Sequence, residues 1–333
     1  MGLFEKKINQ FPRTLEWATR QDVEPLRWFI ASGCGTGLLF VGSGGSYTAA
    51  VMGEMLSAGS GRMSRAVTPY VFAWSGLSGV GARTLLISAS GGNNDICRAY
   101  EAARVSGAEV GALTLSRGGR LRDMFRADCN PALMACDMPG GSDGFLSSNR
   151  VVALCVLLAR AFGVEGLGDM DCMPGKEELE RIEAYAAGLN ISNDTFSGNP
   201  GGVDSYIVLY SAATLAAAVD LESKFYEGAI GNIMLSDYRN FAHGRFNWLT
   251  QRPGQTAIIA LQTPSDRLLA EETIALLPPE VPVLRLASSI SSPVGAVSLI
   301  IKGHFLCAAL ASRWGLDLAR PSIPPYGHRL YTL

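Results

Sequence analysis

The sequence predicts an α/β protein built from two similar, doubly wound parallel sheets, each arranged in three α/β/α layers. Three observations predict this. Short uninterrupted apolar runs alternate with longer helical patterns, as strands covered by helices on both faces require. Glycine- and serine-rich turns close two of those runs, at the strand ends where a parallel sheet opens its ligand crevice. The order of elements that starts at Leu38 then starts again at Tyr206.

In the first series, residues 38–41 read as a buried strand and 47–58 as the helix that follows. Residues 84–88 are the next strand, leading into a helix that reaches Ala103. Residues 112–115 and 132–136 read as further strands, and 147–162 as a long apolar helix. Residues 163–174 carry glycine, aspartate and methionine without periodicity and read as a linker, and 176–189 read as a connecting helix. The second series runs strand 206–210, helix 213–231, strand 256–261, helix 265–277, strand 283–286 and helix 294–314. The expected division is therefore 1–165, an N-terminal helix with the first domain, and 175–333, the second domain with a C-terminal arm. A length of 333 residues suits two such domains.

Bulk properties exclude several classes. With 48% hydrophobic and 17% charged residues the chain is globular and needs no disulfide framework. A formal charge of −2 lacks the clustered Lys and Arg that displace counterions from nucleic acid, so no nucleic-acid partner is expected. The seven cysteines, Cys34, Cys97, Cys129, Cys136, Cys155, Cys172 and Cys307, include no Cys-x-x-Cys pair, and they read as reduced thiols, most of them small core residues. The N-terminus is charged where a signal peptide needs an apolar stretch. The longest apolar runs, 151–158 and 206–219, are too short to span a membrane. A cytoplasmic protein without metal, cofactor or membrane partner is expected.

Two loops point to an anion. Ser43-Gly44-Gly45-Ser46 joins a strand to a helix, and Ser88-Ala89-Ser90-Gly91-Gly92-Asn93 takes the same position after the next strand. Helix N-termini offer unpaired N–H groups and a partial positive charge, glycines let an anion reach the backbone, and hydroxyls add neutral donors. The same residues also suit turns and N-caps. A dinucleotide fingerprint fits poorly: Tyr47 stands where the third glycine belongs, and no acid lies within 65–71.

These loops resemble those of the SIS (sugar isomerase) domain family, in a double-domain arrangement like the isomerase half of glucosamine-6-phosphate synthase. Ser43-Gly44-Gly45-Ser46-Tyr47 stands for the family's first loop, and Ser88-Ala89-Ser90-Gly91-Gly92-Asn93 is similar to its second, Ser-x-Ser-Gly-Glu-Thr. A third stretch, Gly141-Ser142-Asp143 with Leu146-Ser147-Ser148-Asn149, resembles the turn that follows. The resemblance implies flavodoxin-like domains and a sugar-phosphate ligand held by Ser46, Ser88, Ser90 and Asn93, with Ser147 and Ser148 alongside. In that family a Lys-x-x-Glu on a helix and a later His-Gly do the chemistry. Lys224-Phe-Tyr-Glu227 and His243-Gly244 match these types and their spacing. By that resemblance Glu227 is the base that moves a proton between C1 and C2, His243 shuttles the ring-opening proton, and Lys224 holds charge. Taken alone, Lys224 and Glu227 also read as an ordinary surface ion pair, and His304, inside an apolar helix, as structural. SIS proteins commonly insert the His loop into a neighbour's site, which implies a homodimer with shared active sites.

The sequence also departs from the pattern. No glutaminase domain accompanies these 333 residues. Tyr326 stands where the synthase presents a Schiff-base lysine, and the tail offers only His328 and Arg329 as polar substitutes. His-Gly-Pro becomes His243-Gly244-Arg245, which with Arg239 supplies either a second anion contact or solvated surface. The chain thus reads as an aldose–ketose isomerase, deglycase or deaminase acting on a sugar phosphate, with a non-catalytic phosphosugar sensor as the alternative.

Overall fold

The computed structural model describes residues 2–32, 36–167, 172–189 and 202–331. Cys34 lies outside the described residues, as does the side chain of His328. Three short helices, not one, open the chain: α1 (Leu3–Ile8), α2 (Phe11–Thr19) and α3 (Glu24–Ala31). Prolines in the first turns of α2 and α3 restart the helix each time, because proline tolerates that position and no later one.

The first sheet contains β1 (Leu38–Val41), β2 (Ser64–Val67), β3 (Arg83–Ser88), β4 (Val110–Thr114) and β5 (Leu133–Ala135), all parallel, in the order β2-β1-β3-β4-β5. Its helices are α4 (Gly45–Gly59), α5 (Pro69–Trp74), α6 (Asn94–Val105), α7 (Arg120–Ala127) and α8 (Asn149–Ala161). After α9 (Lys176–Gly188) come β6 (Ser205–Tyr210), α10 (Leu215–Glu227), β7 (Asn232–Asp237), α11 (Tyr238–Asn240), a π-helical turn (Phe241–Arg245) and α12 (Asn247–Gln251). The chain then runs through β8 (Thr256–Gln262), α13 (Arg267–Ala275), β9 (Val283–Ala287), α14 (Gly295–Trp314) and α15 (Pro325–Tyr331). The second sheet is parallel, in the order β7-β6-β8-β9. Two parallel sheets with interleaved helices form the expected α/β layers.

Both sheets reverse direction at the first strand of each series. From β1 the chain moves outward to β2 and then back to β3, so the loops after β1 and β3 flank a topological switch point. Register pairs Val41 with Leu86, which puts Ser43, just beyond β1, level with Ser88, the last residue of β3. Two strands, β2 and β7, are absent from the sequence reading, and the helix expected to reach residue 231 stops at Glu227. Both are edge strands with partly exposed residues, so neither shows the unbroken apolar run of a central strand.

One apolar core joins the two sheets. It contains buried residues of α2, β1, α4, α8, α10 and α14. Leu167 and Cys172 belong to it, so the described ends of the stretch read as a linker are packed inside the protein. Contrary to the sequence reading, one helix, α14, is long and apolar enough to cross a membrane. It lies mostly buried between α1, α8, α9 and α10, which accounts for its composition as a core helix.

Candidate active site

Among the described residues, the amides of Ser43, Gly44 and Gly45 have no hydrogen-bond partner, while Ser46 and Tyr47 donate back to the carbonyls of Ser43 and Gly44. Three N–H groups are thus left at the head of α4, and a turn that exposes amides in this way binds anions. Gly44 has φ +53°, a conformation that favours glycine. At Gly45 a Cβ would sit 2.5 Å from Val151 Cγ2, so glycine alone lets α4 dock onto the start of α8.

In the second loop, Ser88 Oγ accepts from the Gly91 amide at 3.1 Å and Ser90 Oγ from the Gly92 amide at 3.3 Å. With those lone pairs engaged, each hydroxyl keeps its hydrogen to donate. Asn93 accepts from the Asp95 amide at 2.7 Å and so caps α6. Gly91, at φ +63°, turns the chain against Thr114 and does not line the cleft. In the third loop the buried Asp143 already occupies the N-terminus of α8, accepting from the Ser148 and Arg150 amides at 3.0 Å each. Ser148 is fully buried behind it, while Ser147 faces outward.

These loops surround a cleft of about 550 Å³ lined by Ser43, Gly44, Gly45, Ser46, Ser88, Ser90, Asn93 and Ser147. Glu227, the last residue of α10, reaches the same cleft from the second sheet's side. Ser223 donates to its Oε1 one turn back. Its Oε2 lies 4.0 Å from Lys224 Nζ. Lys224 is not at the surface: its side chain is 1% exposed and its ammonium is 3.7 Å from Asp220 Oδ1. Burial opposes that charge, yet the carboxylates of Asp220 and then Glu227 outweigh it and hold the lysine pKa above its ordinary value. Asp220 also accepts from the Thr48 hydroxyl at 3.3 Å and lies 3.6 Å from His304 Nδ1. His304 Nε2 is in turn 3.4 Å from the Ser147 carbonyl.

His243, Arg239 and Arg245 do not line this cleft. His243 is exposed on the π-helical turn, where Gly244 at φ +100° breaks the helix. Arg245 donates to the Leu235 carbonyl at 3.1 Å, and Arg239 borders a separate apolar cavity with Phe241 and Leu249. The C-terminal segment packs on the rim, with the Phe145 amide donating to the Ala319 carbonyl at 2.9 Å, and Tyr326 beyond it is exposed. Sequence reasoning misses Arg150 and Asp95, and places Asp143 in the third loop without giving it a role; all three line the cleft. The available signal is a set of charged residues at the starts of helices that are otherwise apolar or follow a serine-rich turn.

By sequence, no family model and no curated protein matches the chain. Solved structures do. The tagatose-6-phosphate ketose/aldose isomerase of Escherichia coli superposes with a TM-score of 0.70 at 17% identity, over 97% of this chain and 95% of that one. The glucosamine-6-phosphate deaminase of Thermotoga maritima gives 0.69 at 13% identity, over 96% and 98%. This chain has their fold. The C-terminal domain of the glucosamine-fructose-6-phosphate aminotransferase of Francisella tularensis shares it too, with a TM-score of 0.66 at 14% identity over 96% and 98%.

Proposed function

We propose that the cleft binds a phosphorylated sugar and that Glu227 moves a proton between its C1 and C2, as an isomerase, deglycase or deaminase of sugar or amino-sugar phosphates requires. One observation carries this reading: the carboxylate of Glu227 opens into the same cleft as the unpaired amides of Ser43–Gly45. The phosphate sits on those amides, with hydroxyl donors from Ser46, Ser88 and Ser90. The open-chain sugar then extends toward Glu227, which takes the proton from one carbon and returns it to the other. Ser223 fixes one carboxylate oxygen, and Lys224, buried outside the cleft lining, orients the other without touching the sugar. His243 is exposed and does not line its own chain's cleft, so we assign ring opening by this residue to a second copy of the chain and read the working form as a homodimer. Residues 1–165 and 175–333 are the two units of each chain, and the setting is cytoplasmic.

The test is hydrogen exchange at C2 or C1. In deuterated water the wild type incorporates solvent deuterium at C2 of glucose 6-phosphate, or at C1 when the ketose fructose 6-phosphate is supplied, and Glu227→Gln binds either sugar without exchanging it. Equal exchange in both would remove Glu227 from the mechanism. The second reading, a phosphosugar sensor, draws on the position of His243 outside the cleft. Binding without any exchange in the wild type would favour it.

A further inference from the structure

We propose that Arg150 is a second anion-binding group of the cleft and that the natural ligand is a sugar phosphate carrying a carboxylate. The inference rests on the phosphosugar reading above and narrows it to one substrate class. Arg150 lines the cleft together with the amide-presenting loop and Glu227. Among the described residues no carboxylate forms an ion pair with its guanidinium. The one side-chain hydrogen bond it makes there runs from Nη2 to the Gly141 carbonyl at 3.5 Å. Its backbone, by contrast, is fixed, because the amide donates to the buried Asp143. A rigidly rooted guanidinium with an uncommitted head is therefore held at the cleft wall.

The other charges in the cleft already have counterparts. Glu227 lies beside the buried Lys224 ammonium. Asp95 belongs to the first turn of α6, where the helix N-terminus offsets a negative charge. The phosphate is served by neutral donors, so Arg150 is not needed for it. A guanidinium presents two parallel N–H groups that match both oxygens of a carboxylate, and Lys or a hydroxyl cannot reproduce that geometry. The cleft thus offers two anion receptors of different kinds, a dipolar one at Ser43–Gly45 and a charged one at Arg150.

The experiment is a calorimetric titration of the full chain with a matched pair, 6-phosphogluconate and glucitol 6-phosphate, which share chain length and phosphate and differ in the carboxylate. The wild type should bind the acid about tenfold or more tightly than the alcohol, as charge-assisted hydrogen bonds warrant. Arg150→Gln should abolish that preference while changing glucitol 6-phosphate affinity by less than about twofold, and Arg150→Lys should restore it only in part. Fructose 1,6-bisphosphate serves as the third arm: binding tighter than the acid would assign Arg150 to a second phosphate and overturn the carboxylate. Equal wild-type affinities overturn the proposal, as does an Arg150→Gln variant that weakens both ligands alike, which would place the arginine on the shared phosphate. Absence of binding by every phosphorylated ligand would sink the phosphosugar reading itself, an outcome distinct from loss of preference alone.

Discussion

Lys224 and Asp220 form an ion pair at 3.7 Å with side chains only 1% and 2% exposed. The pair links α4 to Glu227, because Asp220 accepts from the Thr48 hydroxyl at 3.3 Å and the Lys224 ammonium lies 4.0 Å from Glu227 Oε2. On its other side Asp220 faces His304, which faces the Ser147 carbonyl. Asp220→Asn leaves an ammonium buried without its main counter-ion. Breaking a buried pair on one side costs about 3–5 kcal/mol, whereas replacing both partners by apolar groups is far milder. Urea denaturation should show Asp220→Asn strongly destabilised and the double variant Asp220→Leu/Lys224→Met closer to wild type than either single change. A double variant as unstable as the sum of its parts would contradict this account. The native pKa of Lys224 is raised, so its stabilisation is complete below the unfolded value, about 10.4. It is lost as pH climbs through the native value. Tyr206 and Tyr238, raised by burial, push the same way, because the native state keeps their protons longer. Stability should therefore fall from about pH 10 upward, less steeply in Asp220→Asn.

Adjacent glycines in the first loop should fail for different reasons. Gly45→Ala drives a methyl into Val151, a fully buried core residue that cannot move aside, at a cost of about 1–3 kcal/mol. Gly44→Ala meets no atom within 4 Å but must hold a positive φ. Both variants should bind inorganic phosphate more weakly by titration, since each displaces an unpaired amide, but Gly45→Ala alone should also repack α8 and lose the larger share of Tm. Wild-type phosphate affinity in both would show that these amides hold no anion.

How far the sequence reveals this arrangement depends on burial. β1, β3, β4, β6 and β8 are buried almost throughout, so their apolar runs announce them. β2 exposes Arg65 and β7 exposes Asn232, and an edge strand with one open side resembles a turn in a linear reading. Ser43–Ser46 and Ser88–Asn93 are legible because two glycine- and serine-rich turns occupy the same position, each between a buried strand and a helix, although either alone would suit a simple turn or N-cap. Arg150 is hidden because an arginine opening an apolar helix looks like any polar cap. The His304 contact with Ser147 is hidden by distance, since 157 residues separate the two. Lys224 is legible as a residue type, yet its burial is not: helical spacing to Glu227 suits a surface pair equally well, and only packing of α10 against α4 and α14 encloses it.

Thiol reactivity provides an independent check on the core. Among the described cysteines, Cys129 is exposed and Cys97, Cys136, Cys155, Cys172 and Cys307 are buried. Burial pushes the Cys136 thiol up to about 11 and those of Cys155 and Cys307 higher still, which suppresses the thiolate that reacts. In a Cys34→Ser background, a disulfide reagent at pH 8 should titrate one thiol per native chain, abolished by Cys129→Ser. A second fast thiol that survives Cys97→Ser would mean that the joint core, which holds Cys136, Cys155, Cys172 and Cys307, opens under native conditions.

Asp237 anchors the segment that carries His243. One of its oxygens accepts from the amides of Arg239 at 3.0 Å and Asn240 at 2.8 Å, and the other accepts from the Asn240 side chain at 2.8 Å. Slight burial works against its charge, but these hydrogen bonds prevail and hold the carboxyl below the usual aspartate range. A depressed carboxylate pKa stabilises the fold above the unfolded value of about 3.9 and stops doing so as pH falls through the native value. Acidification below about pH 4 should therefore loosen the turn bearing His243, and Asp237→Ala should loosen it at neutral pH. Amide hydrogen exchange over residues 239–246 is the measurement, with exchange over α8 as the internal reference. Faster exchange confined to 239–246 in Asp237→Ala, with Asp237→Asn intermediate because its amide oxygen still accepts, would establish the anchor. Unchanged protection in Asp237→Ala would leave the turn held by Arg245 and the Leu235 carbonyl instead.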